Sequence, residues 1–185
     1  MDAKSMRGRI AEAAIQTIAA EGVGVSTAVM AKRGGLAQGS IFHHYGTKAG
    51  LLNAVFLQLK EELRAAVIDD LPPADDDWER LGVVWRRWMR WGTAQAERRR
   101  ALVTLGLSDV ITQQSRDSSE KDNPLGVDLF VRLAAGGPLA GMPIHFIGAL
   151  VDAVAGATMD SMIRDPQTAD EYRDRGLAAL RSMLR

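Results

Sequence analysis

Residues 26–48 read S-T-A-V-M-A-K-R-G-G-L-A-Q-G-S-I-F-H-H-Y-G-T-K, and this stretch decides how the chain folds. Two short helical segments, 27–33 and 38–44, flank Gly34-Gly35, with Ser26 placed to N-cap the first. Where two such helices cross only a small side chain fits, and Ala31 supplies it. Four residues on, a tight turn favours a left-handed backbone, which Gly35 can adopt without a Cβ clash. Met30, Leu36 and Ile41 have the offsets that face a core. Gln38, Ser40, His43 and His44 fall on the outer side of the second segment, where they can reach base edges or phosphates. The predicted arrangement is helix, tight turn, helix with a polar outer face.

Outward from this segment nearly every stretch keeps helical period, and no alternating β-branched run bounded by hairpin turns occurs. Upstream, about 4–21 carries Ile10, Ala13, Ala14, Thr17 and Ile18 and stops at Gly22. Downstream, Thr47 can cap a helix over about 48–69 with Leu51, Leu52, Val55, Leu59 and Leu63 on one face. Leu71-Pro-Pro-Ala-Asp-Asp-Asp77 is a turn with an acidic lead into a helix over about 76–94. A further helix is predicted over 96–114, then a polar loop over 115–124. Helices over 124–135, 143–164 and 168–184 close the chain. The fold class is all-α: an N-terminal three-helix helix-turn-helix domain (1–47) and a helical body (48–185), about nine helices in all.

Composition narrows the function classes. The 185 residues are 46% hydrophobic, enough for a sizeable core. No run of 18 or more apolar residues occurs, so no membrane partner is expected. The N-terminus MDAKSMRGRI lacks the apolar core of a secretory signal, so the expected location is cytoplasmic. Cysteine is absent, which removes disulfides, thiol nucleophiles and thiolate metal sites. Residues 1–48 hold Lys4, Arg7, Arg9, Lys32, Arg33 and Lys48 against Asp2, Glu12 and Glu21, a net +3; as the whole chain is neutral, the rest nets −3. A basic front on a mildly acidic body suits a polyanion-binding module. His43 and His44 point about 100° apart on a helix, and His145 is the remaining histidine, so no metal is expected. No paired carboxylates, nucleophile–His arrangement or phosphate loop supports catalysis, and neither an enzyme nor a cofactor is expected.

The wider stretch Ile10–Leu52 resembles the N-terminal domain of the TetR family of bacterial regulators. The matching pieces are I-A-E-A-A-I (10–15), A-A-E-G (19–22), M-A-K-R-G-G-L (30–36), G-S-I-F-H-H-Y (39–45) and T-K-A-G-L-L (47–52). The resemblance implies that 38–44 is a recognition helix in the major groove. It places Gln38, Gly39, Ser40 and His43 nearest the bases, and Ser26, Thr27, His44, Tyr45, Thr47 and Lys48 on phosphates. The chemistry agrees, because helix N-termini present free N–H groups to phosphate oxygens and Lys48 adds a charge. Three departures stand out: a Gly22–Val25 loop about one residue short, Gly34 in place of the usual Ala, and Ala49 in place of an acidic residue.

In the body, Trp85, Trp88 and Met89 form an aromatic stripe with Leu81 and Trp78. It reads either as core or as the wall of an apolar effector pocket. Ser108, Asp109, His145 and Asp152 are the polar groups that would orient a ligand there. Arg86, Arg87, Arg90 and Arg98–Arg100 read as solvated faces or ion pairs. Residues 143–164 carry Ile144, Ile147, Gly148, Val151, Ala155, Thr158, Met159 and Met162 in one stripe, and 168–184 carry Tyr172, Gly176, Leu177, Leu180, Met183 and Leu184. Such a helix pair can join its own copy in an isologous four-helix bundle, the usual dimer interface of the TetR family. The expectation is a homodimeric regulator on a palindromic double-stranded operator, a repressor released by a small hydrophobic or amphipathic ligand. Two alternatives are a DNA-binding dimer without an effector and a small-molecule carrier or enzyme using the Trp-lined cavity.

Overall fold

The computed structural model describes residues 3–74 and 76–185; the side chains of residues 3–5 and of Gln38 are outside the described set, as is Asp75 of the acidic lead. Ten α-helices follow one another among the described residues: α1 (Ala3–Glu21), α2 (Thr27–Arg33), α3 (Gln38–Tyr45), α4 (Lys48–Val67), α5 (Asp77–Ala94), α6 (Ala96–Gly106), α7 (Gln113–Lys121), α8 (Pro124–Ala134), α9 (Ile144–Arg164) and α10 (Ala169–Leu184). A short 3₁₀ turn, Pro166–Thr168, precedes α10. Two compact units result, Met1–Glu62 with Gln95–Asp122 and Leu63–Ala94 with Asn123–Arg185.

The first unit is built on α1. Its Ile10, Ala14, Ile15 and Ile18 are fully buried, as are Met30, Ala31, Ile41, Leu51, Leu52, Val55 and Leu59. On its other flank α1 packs on α6, whose Ala101, Leu102 and Leu105 are buried. Arg98 of α6 adds a polar tie, with Nη2 2.7 Å from Glu12 Oε2 and Nε 3.5 Å from Glu62 Oε2. This residue of the arginine run is therefore an ion-pair node.

Two sequence expectations change here. The helix expected over 96–114 ends at Gly106, and the polar stretch expected as a loop is helix α7. Its stability is not visible as apolar period. Thr112 caps the helix by accepting the Ser115 N–H, and Arg116 reaches back to the Gly106 carbonyl at the end of α6, at 2.9 Å, and to the Ser108 carbonyl beyond it, at 3.1 Å.

The second unit packs α5, α8, α9 and α10 around Leu81, Val84, Trp85, Met89, Leu129, Val151, Ala155, Met159, Leu180 and Leu184. Trp85 lies at its centre, 1% exposed, and its indole N–H donates to the Arg173 carbonyl at 2.8 Å. Gly176 makes the room: a Cβ there would stand 2.8 Å from Trp85 Cζ2 and 2.3 Å from Thr158 Oγ1.

The stripe of α9 expected at a dimer interface instead faces the protomer's own core, since Ile147, Val151, Ala155, Thr158 and Met159 are buried. Both faces of α9 carry apolar residues, and the face that brings Ile147, Val151 and Met159 together is the one buried. The opposite face exposes Phe146, Ala149, Ala153 and Ala157, with Asp152 and Asp160. That two-sided character makes α9, at mean hydropathy 1.4, long and apolar enough by length and composition to cross a membrane. A count of consecutive apolar residues misses it, because Asp152 and Asp160 interrupt the run.

Candidate nucleic-acid interface

Local chemistry sets the α2–α3 pair. Ser26 caps α2 by accepting the Val29 N–H at 3.3 Å. The turn closes through Gly34 N–H to the Met30 carbonyl, Gly35 N–H to Lys32 and Leu36 N–H to Ala31. Gly35 has φ +60°, the left-handed conformation expected of it. Gly34 has an ordinary φ of −80°, but its missing Cβ allows contact with α1, where that atom would lie 2.8 Å from Ala13 Cβ. With Ala31 and Ile41 buried, α3 is held by its inner face and turns its other faces outward.

On α3, Gly39 and His43 are exposed and Ser40 and His44 half-buried; the side chain of Gln38 lies outside the described residues. The His43 and His44 rings meet edge to face with centroids 5.0 Å apart. Gly46, at φ +72°, ends the helix. Thr47 then caps α4, its hydroxyl oxygen accepting the Gly50 N–H at 2.9 Å. Thr47 is exposed and Lys48 half-buried, so one α4 terminus brings a hydroxyl, a cation and backbone N–H groups together beside the end of α3. Ser26 is exposed, whereas Thr27 is 9% exposed.

Tyr45 is tied to α1. Its hydroxyl donates to the Arg7 carbonyl at 3.2 Å, the Arg7 guanidinium sits 5.2 Å from its ring centroid, and Arg7 Nη2 donates to the His44 carbonyl at 3.1 Å. Burial raises the Tyr45 phenol above its ordinary value, an effect partly offset by the Arg7 charge. The group is a neutral donor near neutral pH.

Three contributors escape sequence reasoning. Arg7 anchors the end of α3, 37 residues away in the chain. Gly50 lets α4 start against α3, since a Cβ there would fall 2.4 Å from the Tyr45 carbonyl oxygen. Phe42 is 46% exposed on α3. For Phe42 a signal existed: it follows the buried Ile41 and so points about 100° off the core face.

The expected effector residues do not gather in the same way. Trp85 and Met89 are core, and Trp88 is half-buried against Trp85 with centroids 6.4 Å apart at 81°. His145 and Asp152 are exposed on α9, while Ser108, half-buried, and Asp109, exposed, belong to the other compact unit. The second unit also has an open cleft of about 420 Å³ lined by Asp77, Trp78, Arg132, Leu133, Gly136, Leu184 and Arg185.

A helix-turn-helix whose outer helix is exposed and whose following helix starts beside it defines a class, the helix-turn-helix DNA-binding regulators. Comparison narrows it. Residues 10–55 match the family described as "Bacterial regulatory proteins, tetR family". A 72-residue stretch is 40% identical to the HTH-type transcriptional regulator BetI of Stenotrophomonas maltophilia, covering 38% of this chain and 37% of that protein. Solved tetR family transcription regulators from a Shewanella species (TM-score 0.81, 24% identity, 95% of each chain) and from Marinobacter aquaeolei (TM-score 0.74, 21% identity, 98% of this chain and 94% of that one) share the fold. The family match thus covers the helix-turn-helix segment, and the likeness over the remainder of the chain is one of fold.

Proposed function

We propose that the chain is a sequence-specific, DNA-binding transcriptional regulator that works as a homodimer in the cytoplasm, with 1–47 reading DNA and 48–185 serving dimerisation and effector response. The observation that carries this is the exposed outer side of α3 with Thr47 and Lys48 directly beyond it. Base edges would meet Gln38, Gly39, Ser40 and His43; phosphates would meet Ser26, Thr27, His44, Tyr45, Thr47 and Lys48. The exposed ring of Phe42 adds apolar area suited to a thymine methyl.

The dimer contact is assigned to 143–164 and 168–184, through the exposed face of α9. Ala149, Ala153 and Ala157 let a second helix approach closely, and Phe146 supplies bulk at one end. Two copies of α3 then stand about 34 Å apart or somewhat more and read a palindromic operator. Repression relieved by a small hydrophobic or amphipathic ligand follows if the ligand favours a form with the wrong spacing. Trp88, with Trp85 and Met89 behind it, is the aromatic group such a ligand would meet, and His145 and Asp152 are the polar candidates of the same unit. The tight packing of Trp85 and Met89 favours a second reading, in which the dimer binds DNA without an effector.

Selection from random DNA tests the main claim: the bound sequences should be palindromic. Lys48→Ala and Tyr45→Ala should weaken binding, with a shallower salt dependence for the former. Unchanged affinity in both variants rejects the reading. Tryptophan fluorescence across a set of hydrophobic ligands separates the effector reading from the second one.

A further inference from the structure

The side-chain amide of Asn53 is saturated. Its Nδ2 donates to the Ala49 carbonyl within α4 and to the Val110 carbonyl, each at 2.9 Å. Its Oδ1 accepts from the Thr112 N–H at 3.0 Å, the Thr112 hydroxyl at 3.3 Å and the Ser115 hydroxyl at 2.8 Å. An amide offers two donors and an oxygen with two lone pairs, so both N–H groups are used, and the Thr112 N–H and Ser115 hydroxyl fill the oxygen, with the longer Thr112 hydroxyl contact a shared third. Outside α4 the partners are Val110 and Thr112 of the segment that joins α6 to α7 and Ser115 in the first turn of α7, which is 8% exposed. Helix α7 has no apolar stripe, so this hub and Arg116 are its main specific attachments. At the other end of the segment, Arg98 ties α6 to Glu12 of α1 and Glu62 of α4.

We infer that Asn53 is a positioning residue for the DNA grip. Through the Ala49 carbonyl it fixes the first turn of α4, the turn that starts at Lys48, to the α6–α7 connection. The phosphate-facing end of α4 is then held from two sides: Gly50 sits against the Tyr45 carbonyl toward α3, and Asn53 is bonded toward α7. Without Asn53, Thr47 and Lys48 keep their chemistry and lose a fixed place. This inference rests on the regulator reading.

The experiment uses the full chain, a duplex selected by the wild type, and fluorescence anisotropy at constant salt. Asn53→Ala should weaken binding about tenfold at a temperature where helicity and oligomeric state match the wild type, and in a Lys48→Ala background the further loss should shrink to about twofold or less. A merely structural role does not produce that dependence on Lys48. Should Asn53→Ala fold poorly, Ser115→Ala breaks the hub from the far side and should weaken binding about threefold, again only while Lys48 is present. Asn53→Ala binding within about twofold of wild type, or an equal loss in both backgrounds, overturns the inference. A wild type that retains no duplex at any salt sinks the regulator reading and this inference together, whereas wild-type binding with indifferent variants sinks the inference alone.

Discussion

Gly34→Ala is a sharp test of how the helix-turn-helix is packed. Alanine is the residue the TetR resemblance leads one to expect here, and the backbone at φ −80°, ψ −2° accepts it. Lower unfolded-state entropy would stabilise the variant by about 0.4–1 kcal/mol. The added methyl, however, would lie 2.8 Å from Ala13 Cβ, 2.9 Å from Leu36 Cδ1 and 3.2 Å from Leu36 Cγ. Carbon atoms rest at about 3.5–4.0 Å, so α1 and the turn must separate by close to 1 Å. Leu36 can rotate away, but Ala13 sits on the buried face of α1 and cannot. Overpacking of this kind costs about 1–3 kcal/mol, so the net effect is a loss of about 0.5–2 kcal/mol. For a chain of this length that lowers Tm by about 2–6 °C. Ala13→Gly should recover part of it despite a helix-propensity cost of about 1 kcal/mol, giving a measurable coupling between the two sites. Thermal unfolding followed by circular dichroism reads all four members of the cycle. A Gly34→Ala variant more stable than wild type, or a cycle without coupling, refutes the packing argument. Gly35→Ala should also destabilise, by about 1–2 kcal/mol, but from strain alone, since its Cβ would meet nothing within 4 Å at φ +60°; Ala13→Gly should not relieve it.

Other outcomes follow from the same contacts. Trp85→Ala should cost about 3–5 kcal/mol by emptying the centre of the second unit, seen as early unfolding with loss of near-ultraviolet dichroism; a small effect would mark the stripe as pocket wall rather than core. Ala153→Glu, on the exposed face of α9, should give folded monomers in sedimentation, whereas Val151→Glu, on the buried face, should unfold the chain; a dimeric Ala153→Glu protein argues against that interface. The Arg132 side chain, bonded to Asp77 at 2.8 and 3.0 Å, holds the Asp77 carboxyl below its ordinary value. The lowered folded-state value means that its contribution is present above about pH 4 and is lost as pH falls through the folded value; Asp77→Asn should flatten stability against pH only in that acid range. The Tyr45 phenol, raised in the folded state, contributes below its unfolded value near pH 10 and loses that contribution as pH climbs through the folded value. In a Tyr172→Phe background, ultraviolet titration should place Tyr45 above 10 in the native protein and back near 10 in denaturant.

What could be read in advance separates by the range over which each decision is made. The α2–α3 segment is legible because its requirements are local: a cap at Ser26, a small residue at Ala31, a left-handed turn at Gly35 and an inward Ile41 are all met within a few residues of one another. Helix α7 escapes because its anchor is remote, Asn53 lying 62 residues from Ser115, and a polar helix held by one amide leaves no period to detect. The faces of α9 escape for the opposite reason. Both are apolar, so periodicity marks a two-sided helix without saying which side is the core. That choice is made by fit against neighbours the sequence does not align: Ile147, Val151 and Met159 fill the space beside α5 and α10, and Phe146, Ala149, Ala153 and Ala157 are left outside. The tryptophan stripe shows the same ambiguity one step closer to function. Its spacing fits a core and a pocket wall equally, and the bond from Trp85 to the Arg173 carbonyl, made across 88 residues, weighs toward core. Any ligand admitted there must displace a satisfied indole. For a ligand that entered at Trp85, affinity would carry the cost of opening that packed centre.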